Sequence, residues 1–186
     1  MDLVSATLTL GIALNALFGS YALAAPASDY YPPEVRKATN CILAEVGKLM
    51  HVKIPRNIPR PRVFLSNEIT LAEFQDALEP QWGFRPDAIS NAYVARGNVI
   101  FLRAARNAYP SGRSVFDSLA HELVHYVQVR VLGLRLEDAT DEDEYEAVQI
   151  QTLFRELWGG HVRESSFHCP IPYGLLSTSP RTKTYR

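Results

Sequence analysis

Residues 119–128, LAHELVHYVQ, carry two histidines four positions apart and a glutamate directly after the first. Four residues turn an α-helix by about 400°, so on a helix His121 and His125 stand about 40° apart and one turn up, able to aim two imidazoles at one point. Neutral imidazoles converging in this way suit zinc. Glu122, offset by about 100°, is badly placed to chelate with them but can reach a water beside the ion, the position of a general base. Such a group would hydrolyse an amide: the ion acidifies the water and polarises the carbonyl, and the glutamate moves the proton to the departing amine. The plain alternative is three polar residues on an amphipathic helix. With five histidines in the chain, chance placement produces this spacing in roughly one sequence in a hundred.

The elements that must position these residues are legible around them. Ser114 and Asp117 form a capping pattern. Val115, Leu119, Ala120, Leu123, Val124, Val127 and Val131 then continue a helical apolar repeat until Gly133, so the two histidines fall mid-helix. Ahead of it, AYVA and NVIFLR flank Arg96-Gly97-Asn98 and predict a β-hairpin. Earlier still, Glu34 to Met50 has helical spacing, RVFLS reads as a strand, and Thr70 with Glu73 opens a short helix through LAEFQDAL. After the motif, ATDEDEYEAVQIQTLFRELW predicts a second long helix, capped by Thr140 and stopped by Gly159-Gly160. Its apolar face is expected to be Ala147, Ile150, Leu153, Phe154 and Leu157. The fold class expected is α+β, in one domain over residues 25–186.

HELVH after a hairpin and on a long helix resembles the active-site helix of the zincin metallopeptidases; the likeness covers roughly residues 91–158. It implies a small antiparallel or mixed sheet whose edge strand aligns an extended peptide beside the motif helix, with NVIFLR as that strand. It also implies a third ligand, since a catalytic zinc usually takes three protein groups and a water. Metzincins supply it from a histidine after a glycine, but those positions here are Val131 and Gln128. Gluzincins take a glutamate from a second helix, and Glu146, directly before Ala147, resembles their pattern. Glu144 resembles the E-Y-x-A form of another gluzincin branch. The two glutamates lie on different faces of one helix and cannot both ligate. Glu146 borders the expected apolar face and is the preferred ligand; Asp141, Glu142, Asp143, His161 and His168 are further candidates.

The resemblance further implies acceptors behind the ligand histidines, with Asp117 and Gln149 as candidates. Asp117 also has an ordinary role, closing the capping pattern with Ser114. The aspartate that many gluzincins carry four residues after the ligand glutamate is Ile150 here. Oxyanion donors could come from Tyr109, His161, His168 or Tyr173. The expected activity is zinc-dependent peptide-bond hydrolysis, one zinc per chain, on a peptide or protein substrate. The alternative is an inactive zincin-fold module that binds a cell-envelope peptide or partner. The likeness extends to small zincin-like proteins exported by bacteria.

The rest of the chain bounds these readings. With 186 residues, 47% hydrophobic content and a formal charge of -1, it can bury a sizeable core, and nothing in its balance calls for nucleic acid. Leu3 to Ala24 is uncharged and closes in small residues. Residues 1–24 therefore read as a signal peptide, or as an N-terminal membrane anchor if uncleaved, and the body as exported, periplasmic or secreted. In an oxidising compartment Cys41 and Cys169 could pair. Lys53, Arg56, Arg60 and Arg62 lie in a proline-broken connector to which no function is assigned.

Overall fold

The computed structural model of the chain describes residues 30–31, 33–109 and 113–162. The N-terminal segment 1–24, His168, Cys169 and Tyr173, and the side chain of His161, lie outside this part. Cys41 is disulfide-bonded. Among the described residues no helix is long and apolar enough to cross a membrane.

Among the described residues four α-helices and three strands follow one another as α1 (Thr39–Leu49), β1 (Arg62–Leu65), α2 (Leu71–Trp82), β2 (Ala92–Val94), β3 (Val99–Leu102), α3 (Val115–Arg130) and α4 (Asp141–Val162). The fold is α+β with a small mixed sheet, ordered β1-β3-β2, in which β3 runs parallel to β1 and antiparallel to β2. The stretch expected to be a helix over Glu34 to Met50 is divided: a 3-10 segment over Pro33–Ala38 leads into α1.

The strand assigned to substrate pairing is in the wrong place for it. NVIFLR forms β3, the centre of the sheet, with both sides taken by neighbours. The reason is readable in its composition: Val99, Ile100, Phe101 and Leu102 are an unbroken apolar run and all four are buried, as a strand covered on both faces requires. Ile100 and Leu102 join Val63, Leu65 and Tyr93 against α1, α3 and α4, while Val99 and Phe101 join Ala92 and Val94 against Phe74 and Leu78 of α2. The strand beside the motif helix with an outer edge is β2.

α3 runs through the core. Its start is fixed by a complete capping box: the Ser114 side chain accepts from the Asp117 amide at 3.3 Å, and the Asp117 carboxylate accepts from the Ser114 amide at 2.7 Å. Such a cap contributes about 1 kcal/mol. Leu119, Ala120, Leu123, Val124, Tyr126 and Val127 are all fully buried, so the helix cannot rotate about its axis without breaking the core. The orientation of the intervening polar residues is thereby set. After Arg130 the chain leaves the helix and turns at Gly133, whose φ of 78° is left-handed and suits glycine.

α4 packs against α3, but not entirely on the face expected. Asp143, Ala147, Ile150, Gln151 and Phe154 are buried, whereas Leu153 and Leu157 are 43% and 55% exposed. The Gly159-Gly160 pair does not stop the helix, which continues to Val162. Its start uses Asp143, whose carboxylate accepts from both the amide and the hydroxyl of Thr140 at 3.0 Å.

Candidate metal centre

On α3 the two histidines sit one turn apart at the surface of the core, with His121 Nε2 and His125 Nε2 3.1 Å from each other. The carboxylate that meets them belongs to Glu144, in the first turn of α4. One oxygen lies 3.4 Å from His121 Nε2 and the other 3.2 Å from His125 Nε2. Ligand atoms ~2.0–2.1 Å from a tetrahedral zinc stand ~3.3 Å from one another. Each contact is near that spacing, with the two histidines meeting different oxygens of the carboxylate; the two ring nitrogens and one carboxylate oxygen lie within 4.8 Å of one another. Two ring nitrogens and a carboxylate oxygen are also a donor set that zinc accepts.

The acid beside the two histidines is Glu144, whereas Glu146, the preferred candidate, meets Gln128: its carboxylate accepts from that side chain at 3.2 Å. The cause is the rotation of α4. Counted from Ala147 at the centre of the buried seam, Glu144 lies about 60° to one side and Glu146 about 100° to the other. Gln151, on the Glu144 side, is buried next to His121. Including Leu153 and Leu157 in the apolar face had moved its centre toward Glu146. Of the other acids, Asp143 caps the helix through Thr140, and Asp141 and Glu142 are exposed in its first turn.

Charge in the cluster is mutually adjusted. Burial and the neighbouring His125 charge push His121 down to about 4. Burial also pulls on His125, but hydrogen bonds to Glu144 and Gln128, with the Glu122 charge, outweigh it and hold that ring above its usual range. The hydrogen bond from His125 in turn holds Glu144 below the ordinary carboxylate range. The group thus favours one positive charge among two imidazoles and a carboxylate.

Behind His125 stands a residue that the sequence reading passed over, Gln128. It is fully buried, and its side-chain amide nitrogen donates to the Asp143 carbonyl at 2.9 Å and to Glu146. A carbonyl can only accept, so this end must be the NH2, and the amide oxygen must be the atom 2.9 Å from His125 Nδ1. Nδ1 therefore carries a proton in either charge state of the ring, and when the ring is neutral the lone pair is on Nε2, facing the centre. The only sequence signal was a polar residue at helical spacing from His125 inside an apolar run. Replacing Gln128 with leucine is expected to weaken zinc binding about 10- to 100-fold with little change in helix content, measured by competition with a chromogenic chelator.

The two acceptors proposed from sequence do not take this role. Asp117 is engaged in its cap, although its second oxygen, Oδ1, is buried without a hydrogen bond; Gln149 is exposed. His121 Nδ1 is likewise buried without a hydrogen bond of ordinary geometry, while the Gln151 side chain lies close enough to favour a proton on the ring. Tyr109 directs its hydroxyl to the Arg103 carbonyl at 2.6 Å and is committed there.

Glu122 occupies the position expected of a base. It is only 5% exposed, and burial raises its carboxyl to about 7, against the opposing effects of the His125 charge and the backbone amide of Tyr93. A cavity of about 360 Å³ opens over it, bounded by β2, the end of α2, and α3 and α4; His121, His125, Glu144 and Tyr93 line it together with Trp82 and Leu136. No protein family, curated protein or solved structure matches the chain.

Proposed function

We propose that the chain is a zinc metallopeptidase of zincin-like build, in which His121, His125 and Glu144 hold the ion and Glu122 is the base. The observation that carries this reading is the convergence of His121, His125 and Glu144, whose ligand atoms lie within 4.8 Å of one another, with the buried carboxylate of Glu122 at the adjacent helix position. Bound zinc would polarise the scissile carbonyl and lower the pKa of a water.

The chain's own residues supply the rest. Glu122, withdrawn from solvent and steadied by the Tyr93 amide, accepts the proton of the attacking water and returns it to the departing amine. Gln128 keeps the His125 lone pair turned to the centre and ties α3 to the turn of α4 that carries Glu144. The cavity between β2 and α3 is bordered by Trp82, Val129, Leu134 and Leu136, a largely apolar wall for a substrate side chain. The substrate is a peptide or protein. The uncharged segment at the N-terminus supports an exported location.

The test is zinc content per chain, by elemental mass spectrometry on the full chain purified without added metal or a histidine tag. About one zinc per chain is expected. No metal after incubation with zinc would return HELVH to the status of an ordinary helix face.

A further inference from the structure

The outer edge of β2 is not free. Gln81, in the last turn of α2, donates from its side-chain amide to the Tyr93 carbonyl at 2.9 Å and accepts from the Ala95 amide at 3.0 Å. Taking the carbonyl of one residue and the amide two positions on is how a single residue of a parallel neighbour grips a strand. The carboxamide has the same donor and acceptor as a peptide bond. One side chain thus occupies the two edge groups that an added strand would use. The remaining outward group of Tyr93, its amide, faces Glu122.

We propose that Gln81 is an internal stand-in for the backbone of an extended peptide, and that a peptide pairs with β2 beside the candidate centre by displacing it. The ligand class follows from what is displaced: a chain in β conformation, recognised through its backbone amides rather than by charge. The neighbouring groups agree with this. Gln81 and Trp82 both line the cavity that holds His121 and His125. The hairpin beneath the edge is braced independently, by Arg130 of α3 donating to the Ala95 carbonyl at 2.9 Å and to the Tyr93 hydroxyl at 3.3 Å. The strand can therefore keep its place when Gln81 leaves. In the closed arrangement Gln81 also protects an edge that could otherwise pair with another copy.

This inference rests on the peptidase reading for its purpose, so its test reads binding rather than turnover. The probe is a fluorescein-labelled eight-residue peptide of alternating threonine and valine, with two companions N-methylated at the odd or at the even backbone amides. Fluorescence anisotropy is measured on the full chain and on its Gln81→Ala and Gln81→Glu variants. Two lost internal hydrogen bonds lead to about tenfold tighter binding by Gln81→Ala. Gln81→Glu, which still accepts from Ala95 but cannot donate to Tyr93, should fall between, and one of the two methylated peptides should lose the gain. Equal affinities in wild type and Gln81→Ala, a gain that survives both methylation patterns, or binding by none of the proteins would overturn the proposal. Zinc content of the same samples separates the two ideas. Zinc without strand pairing removes this inference and leaves the peptidase reading; pairing without zinc does the reverse.

Discussion

Glu122→Gln is expected to lower peptide cleavage by the zinc-loaded chain about 10²- to 10⁴-fold, the usual contribution of a positioned proton carrier, without lowering zinc content. The substitution keeps size, burial and an oxygen that can accept from the Tyr93 amide, but a carboxamide cannot take a proton from water. Comparing initial rates on a quenched-fluorescence peptide library, with zinc measured on the same preparations, separates chemistry from metal loss. Cleavage at an undiminished rate would remove Glu122 from the mechanism. Zinc retained by a wild-type chain that cleaves nothing would instead favour a peptide-binding module on the same framework.

The second large effect distinguishes two acids that differ by two positions. Glu144→Ala should weaken zinc binding by more than the ~100-fold that loss of an outer group can cause, because it removes an atom from the centre itself. Glu146→Ala removes only one of the two acceptors of the Gln128 amide, and the Asp143 carbonyl remains to hold that side chain. Its effect should stay within about tenfold. Both side chains are solvent-accessible, so neither variant should unfold the protein, and competition with a calibrated chelator gives the two constants directly. A larger loss from Glu146→Ala than from Glu144→Ala would overturn the assignment of the third ligand.

How far these features were legible differs by element, for physical reasons. The start of α3 could be read because a capping box is local: Ser114 and Asp117 need no other part of the chain to recognise each other. The same held at Thr70 and Glu73, where both halves of the box are formed. The hairpin was legible from its two short apolar runs and the turn between them, with Asn98 at a φ of 48° as such a turn needs. Its order in the sheet was not, since β1 reaches β3 only through a parallel crossover over α2.

The acid that stands beside the histidines differs from the one preferred from sequence because α4 offers more apolar positions than α3 and its neighbours cover. A periodicity argument weights Leu153 and Leu157 equally with Phe154, although only Phe154 is buried. A shift of the inferred face by part of a turn then exchanges one glutamate for the other. Gln128 and Gln81 were illegible for a different reason. A glutamine acquires its meaning from which backbone groups it meets, and both meet groups far along the chain: Asp143 for one, Tyr93 and Ala95 for the other.

The place of Glu144 on α4 has a thermodynamic consequence. His125 and Glu144 stand on either side of the connection that leaves α3 and enters α4, and Glu144 belongs to that helix's first turn. An ion held by both would close this loop as a clip, lowering the entropy of the segment between them. The turns of α4 beyond it are secured by Ala147, Ile150 and Phe154 in the core whether or not an ion is present. Chelation should therefore leave global unfolding two-state while opening residues 131–145 first. Faster amide hydrogen exchange confined to that stretch would be its signature.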